Sequence, residues 1–216
     1  MKYQDFLERY GASVRTKNMR TGNAPADPTN KPHHVLPAET RIPREFIRLD
    51  PWEAEYLFTV ASLAREGIVE TGRFRGGSTF LMACAAPDVP IWSIDIAPRG
   101  DDVLQGFFDQ EQLGEHVQLI VGDSQNTRYT QIGRFDVLFI DGDHSYEGCT
   151  RDLENWFPLL SIGGHCILHD SYLGSPVMHA AHDFFSTVPS QPAVHAFRGA
   201  HHWRHPMGSM THYVKL

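Results

Sequence analysis

Cysteine is scarce in this chain. The three present, Cys84, Cys149 and Cys166, lie within or beside apolar segments, at spacings that match neither a zinc ribbon nor a disulfide framework. They read as reduced thiols of a core. Basic charge is also short: 19 Lys and Arg against 26 Asp and Glu leave a net charge of −7, which argues against a nucleic-acid backbone as partner and for a small molecule. No apolar run approaches the ~20 residues of a membrane span. The start, Met1-Lys2-Tyr3-Gln4-Asp5, lacks the apolar core of a secretion signal, so a soluble, cytoplasmic protein with no membrane contact is expected. Internal repeats are absent. The one biased stretch runs from Thr16 to His34, rich in Lys, Asn, Thr, Pro and Gly; it reads as a loop, either a solvated connection or a lid over substrate.

What the chain does have is five short apolar runs, each stopping at an acid: Ile68 to Glu70, Ile91 to Asp95, Val117 to Asp123, Phe135 to Asp141, and His165 to Asp170. In an open parallel sheet the carboxyl ends of the strands line one edge, where ligands bind. Carboxylates gathered there repel one another unless they hold hydroxyls, amino groups or a cation. Helical patterns separate the runs: Ser78 to Ala86, Val103 to Gln112, Tyr146 to Leu160 and Pro176 to Phe185. The alternation predicts βαβ units with right-handed crossovers. Ahead of it, Asp50-Pro51 caps a helix over Trp52 to Arg65, and residues 1 to 11 form a shorter one stopped by Gly11. Val194 to Phe197 and Thr211 to Leu216 are expected to pair antiparallel. The 216 residues suit one α/β domain over 51–216, with a helix-and-loop extension over 1–50.

Three motifs fall at the predicted strand ends. Glu70-Thr71-Gly72-Arg73-Phe74-Arg75-Gly76-Gly77-Ser78 places glycines between a strand and a helix, where the backbone must turn sharply and approach a ligand. Its spacing is not the G-x-G-x-x-G that wraps a pyrophosphate, so a nucleotide-like ligand lacking one fits better, the alternative being a merely structural turn. Asp95, ending the next strand, can accept ribose hydroxyls or cap a loop. Asp123 with Ser124 follows the third strand.

In this order the motifs resemble the class I S-adenosylmethionine-dependent methyltransferases over about residues 67–186. The resemblance implies a doubly wound, mostly parallel seven-stranded sheet with an antiparallel C-terminal strand. It places Gly72 and Gly76 against the methionine part of the cofactor, Asp95 on the ribose, and Asp123 and Ser124 on the adenine. Glu70, with Thr71 and Ser78 in the same motif, would support the glycine loop or the amino group.

The sharpest stretch is Ile140-Asp141-Gly142-Asp143-His144, followed by His169-Asp170. Asp141 and the pair His169-Asp170 close neighbouring strands, so three donors can converge on one divalent cation. Here the resemblance narrows to metal-dependent O-methyltransferases, notably the sugar enzymes of macrolide and aminocoumarin pathways. It implies a metal, magnesium or manganese, on Asp141 and Asp170, and Asp143 as base. His169 stands where those enzymes have a carboxylate, and imidazole favours manganese, iron, cobalt or zinc. His144 is a rival base. Asp141 also has non-metal readings, as part of the cofactor pocket or as a salt-bridged acid.

The expected activity is methyl transfer to a hydroxyl of a small molecule, a natural-product sugar or a catechol-like diol, with homo-oligomerisation left open. A cephalosporin hydroxylase-like oxidising enzyme and a non-catalytic cofactor-binding module are the alternatives. His201-His202-Trp203-Arg204-His205 reads as a solvated loop or substrate-facing wall, and Trp156 and Phe157 as core.

Overall fold

A computed structural model describes residues 1–10, 46–126, 129–193 and 209–216. The loop expected over 16–34, the strand expected over 194–197 and the His-rich stretch 201–205 lie outside the described residues.

The five acid-terminated runs become β1 (Ile68–Thr71), β2 (Ile91–Asp95), β3 (Val117–Val121), β4 (Val137–Ile140) and β5 (His165–Leu168). The helices are α1 (Tyr3–Tyr10), α2 (Pro51–Ala61), α3 (Gly77–Ala85), α4 (Asp101–Glu111), α5 (Tyr146–Trp156) and α6 (Pro176–Phe185), and two further strands are β6 (Ser190–Pro192) and β7 (Thr211–Lys215). The sheet order is β3-β2-β1-β4-β5-β7-β6, with β1 to β5 parallel and β7 antiparallel to both neighbours. The antiparallel terminal pair is present, but the described partner of β7 is Ser190–Pro192. Helix α2 stops four residues short of Arg65, where Ala64 and Leu63 turn on 3.0 Å hydrogen bonds to Ala61 and Val60.

Two-residue periodicity decides which layer each strand residue feeds. Ile68, Ile91, Val137, Phe139 and Ile167 point to the layer built by α1 to α4, with Phe6, Leu57, Phe80 and Phe108. Val69, Ile94, Leu138, Ile140, Cys166 and Leu168 point to the layer of α5 and α6, with Leu153, Trp156 and Phe185. Helices on both faces leave the strands hydrophobic throughout, the condition for a parallel sheet. Residues of the expected extension join the first layer: Phe6, Tyr10, Phe46, Ile47 and Leu49 are all buried. The three cysteines are buried and unpaired, as the sequence suggests. No helix among the described residues is long and apolar enough to cross a membrane.

The strand order reverses between β1 and β4, which opens a crevice at their carboxyl ends. There Gly72 N–H donates to the Ile94 carbonyl and Asp141 N–H to the Thr71 carbonyl, both at 2.8 Å. Gly72 has φ +83°, and a Cβ on it would run into the Asp141 carbonyl. Only glycine lets these two loops meet so closely.

Candidate active site

On the β1 side of the crevice, Glu70 is fully buried under α3 and accepts hydrogen bonds from Ser78, Thr79 and Ser93. Burial drives its pKa upward, and the hydroxyls pull back less strongly. Glu70 therefore braces the start of α3 from below. Thr71 is buried too, its hydroxyl donating to Asp152 at 3.0 Å, while Ser124 donates to the other oxygen of Asp152 at 2.7 Å. Asp152 thus ties α5 to the loops after β1 and β3. Burial raises its pKa to about 6. The Asp95 carboxylate accepts from Phe74 N–H at 2.8 Å and Ala97 N–H at 2.7 Å, so it holds the glycine loop against the loop after β2. Asp123 turns its own loop, accepting from Gln125 N–H at 2.9 Å. Arg73, almost fully buried, forms a bidentate pair with Asp101 at 2.9 and 2.6 Å and donates to the carbonyls of Ser93 and Ile120.

On the β4 and β5 side the acids meet imidazoles. His144 lies 3.3 Å from Asp141 through Nε2 and 3.5 Å from Asp170 through Nδ1. Asp141, His144 and Asp170 each offer a ligand atom within 4.8 Å of the others. Asp170 sits at φ +52°, a conformation a short polar side chain tolerates better than most. His169 lies behind this group, its Nδ1 3.0 Å from Asp141 and its Nε2 3.3 Å from the buried Glu53. Glu53 reaches in from the first turn of α2, where its carboxylate also accepts from Asp50 N–H at 2.7 Å and from Ser209 N–H and hydroxyl at 2.8 Å.

The charges follow from this packing. Burial opposes ionisation of Asp141, yet His169 and His144 hold its carboxyl below the ordinary range. Burial opposes a charge on His169 as well, and the carboxylates of Asp141, Asp170 and Glu53 overcome it, raising its pKa well above an ordinary imidazole. Glu53, also pushed up by burial, is brought down to about 2 by His169 and the hydrogen bonds it accepts. His144 is raised, chiefly by its hydrogen bond to Asp141.

The structure brings the expected donors Asp141, His169 and Asp170 together and adds His144 to them. His169 Nδ1 lies 3.0 Å from Asp141 and 3.6 Å from Asp170, and its Nε2 faces Glu53, while His144 joins Asp141 and Asp170 in the convergent group. Asp143, expected as base, faces the start of α5, where its carboxylate accepts from Ser145 N–H at 2.9 Å, and it accepts from the Gln125 side-chain amide of the loop after β3 at 3.4 Å. Glu53, Asp152 and Ser209 complete the surroundings of the crevice without a motif to announce them. Each is placed by contacts distant in sequence.

A family model described as a methyltransferase domain matches residues 69–171, the segment from β1 through β5 that carries the glycine loop and Asp141, His144 and Asp170. Demethyldecarbamoylnovobiocin O-methyltransferase of Streptomyces niveus is 27% identical to it, over 54% of this chain and 57% of that relative; the match thus spans little more than half the relative's length. Among solved structures, the O-methyltransferase NovP superposes with a TM-score of 0.58 at 20% identity, covering 77% of this chain and 80% of its own. The S-adenosylhomocysteine-bound methyltransferase PaMTH1 of Podospora anserina superposes with a TM-score of 0.58 at 16% identity, covering 76% and 78%. These likenesses show the fold, the doubly wound, mostly parallel sheet expected from the motif order.

Proposed function

We propose that this methyltransferase domain transfers a methyl group from S-adenosylmethionine to a hydroxyl of a small molecule, first a natural-product sugar and second a catechol-like diol. The observation that carries the reading is the meeting, in one crevice, of the glycine loop at Gly72 with the Asp141, His144 and Asp170 group. The relative is named a demethyldecarbamoylnovobiocin O-methyltransferase, which favours a natural-product hydroxyl.

Bound S-adenosylmethionine supplies the electrophilic methyl. The loop at Gly72 and Gly76 would take its methionine end, Asp95 would accept from the ribose hydroxyls, and Asp123 and Ser124 would take the adenine. Two carboxylates and an imidazole also suit a divalent cation, with manganese fitting the nitrogen donor at least as well as magnesium. Asp141, His144 and Asp170 would hold such a cation, whose contribution would be to lower the pKa of the acceptor hydroxyl. His169, clamped by Glu53, fixes the Asp141 carboxylate for that task. Positioning then accounts for most of the rate. A second reading follows from the hydrogen-bond distances of His144 to both acids: without a cation, His144 is itself the proton acceptor, oriented by Asp141 and Asp170.

Calorimetry with S-adenosylhomocysteine tests the cofactor, and a search by mass for +14 products over sugar-bearing and catechol acceptors tests the transfer. Absence of cofactor binding, or preference for NAD, overturns the proposal. Loss of product in EDTA, with rescue by manganese, supports the cation; full activity after exhaustive chelation assigns proton removal to His144.

A further inference from the structure

Three arginines from three separate segments converge on one aromatic ring. The guanidinium carbons of Arg48, Arg75 and Arg99 lie 5.7, 5.3 and 5.5 Å from the centroid of Phe74. Arg48 precedes α2, Arg75 belongs to the glycine loop, and Arg99 follows β2. All three are exposed, and among the described residues none of them makes an ion pair or a side-chain hydrogen bond. The contrast with Arg73, two positions from Arg75, is direct, since its charge is matched by Asp101 at 2.9 and 2.6 Å.

Like charges gathered this way repel, and the chain as a whole is acidic at −7. The ring faces compensate part of the cost. The arrangement is also held in place from the backbone. Phe74 sits at φ +53°, rare for a bulky residue, with its N–H on Asp95 at 2.8 Å and its carbonyl taking Arg99 N–H at 2.9 Å. The ring, 38% exposed, is thereby presented outward with the arginines about it.

We infer that Arg48, Arg75 and Arg99 form, around Phe74, an anion site on the cofactor edge of the sheet that takes a phosphate-bearing small molecule. Three guanidinium groups leave one carboxylate far outmatched, whereas a phosphate or diphosphate supplies two or more negative charges and the oxygens for paired N–H donors. The phosphate is either part of the methyl acceptor or belongs to a separate ligand. In the first case the inference rests on the proposed methyl transfer; the anion site itself does not.

The test is calorimetry of the full chain with sodium pyrophosphate at low ionic strength, with and without saturating S-adenosylhomocysteine. Saturable binding is expected in both conditions, with none for acetate. It should weaken about tenfold in each of Arg48→Ala, Arg75→Ala and Arg99→Ala, and be largely retained in Arg75→Lys. No binding of pyrophosphate, or unchanged affinity in Arg99→Glu, overturns the inference. So does displacement by S-adenosylhomocysteine, which would give the arginines to the cofactor's own carboxylate. Because the readout needs no turnover, failure here leaves the methyl-transfer reading untouched, and the reverse also holds. Phosphatase treatment of the acceptor pool before the mass search sorts the source: loss of the +14 product places the phosphate on the acceptor, and retention places it on a separate ligand.

Discussion

Glu70 and Asp141 end neighbouring strands, yet their surroundings drive them in opposite directions. Glu70 is met by three hydroxyls, from Ser78, Thr79 and Ser93, and burial raises its pKa. Asp141 is met by two imidazoles, His144 and His169, and despite burial it is kept ionised. A hydroxyl can share its hydrogen bond with a neutral acid as well as with a carboxylate, whereas an imidazolium stabilises the carboxylate alone. The partner chemistry therefore separates a bracing acid from a charged one within a single crevice.

Substitution should widen that contrast. Asp141→Asn is expected to cut turnover roughly 10³-fold or more with little change in thermal midpoint, since the charge facing the acceptor is lost. Glu70→Gln should instead leave turnover within about threefold and cost about 1 kcal/mol of stability, read from urea unfolding. Equal loss of turnover in the two variants would erase the distinction.

His144 and Asp143 sharpen it further, being adjacent in the chain and differently placed. With His144 beside Asp141 and Asp170, His144→Gln should lower turnover by about 10²–10⁴-fold, and Asp143→Asn by only a few-fold. The opposite ranking would return the base to Asp143, as the motif resemblance implies.

A third contrast is read by pH. Asp152 has a folded pKa of about 6, above its unfolded value, so its contribution is complete at low pH and is lost as pH rises from about 4 to 6. Glu53, at about 2, lies below its unfolded value, so its contribution is present above about pH 4 and is lost as pH falls toward 2. Each should amount to about 2–3 kcal/mol. Unfolding curves of Asp152→Asn and Glu53→Gln should flatten the corresponding limb of the wild-type profile and leave the other limb in place. Asp95→Ala should weaken cofactor binding by about 1–2 kcal/mol in calorimetry while turnover at saturating cofactor falls little.

The elements with strong periodicity were legible in the sequence to within a few residues. Helix α6 runs from Pro176 to Phe185 as the pattern predicts, and each of the five acid-terminated runs contains a strand. Strand β6 was not, because Ser190-Gln191-Pro192 has neither alternation nor β-branched residues and owes its strand to β7 alone. Within the site, Asp141, His144, His169 and Asp170 stand out because they follow strands. Glu53 does not, because it occupies an ordinary first helical turn and meets His169 only across 116 positions of chain. Asp152 is hidden in the same way, on a helix and 81 positions from Thr71. Which way His144 and Asp143 point depends on the local turn before α5, and spacing carries no record of it.

The placement of β7 between β5 and β6 has a temporal consequence. The chain makes β6 before β7, but β6 has no other described neighbour in the sheet, so it must wait for Thr211–Lys215 to be threaded in. Ser209, on the approach to that strand, is also what holds one oxygen of Glu53. The parallel half can therefore assemble as synthesis proceeds, whereas the clamp on His169 closes only with the late insertion of β7. A nascent chain halted before Ser209 would carry every residue of the acid and imidazole group and still leave Glu53 without that latch.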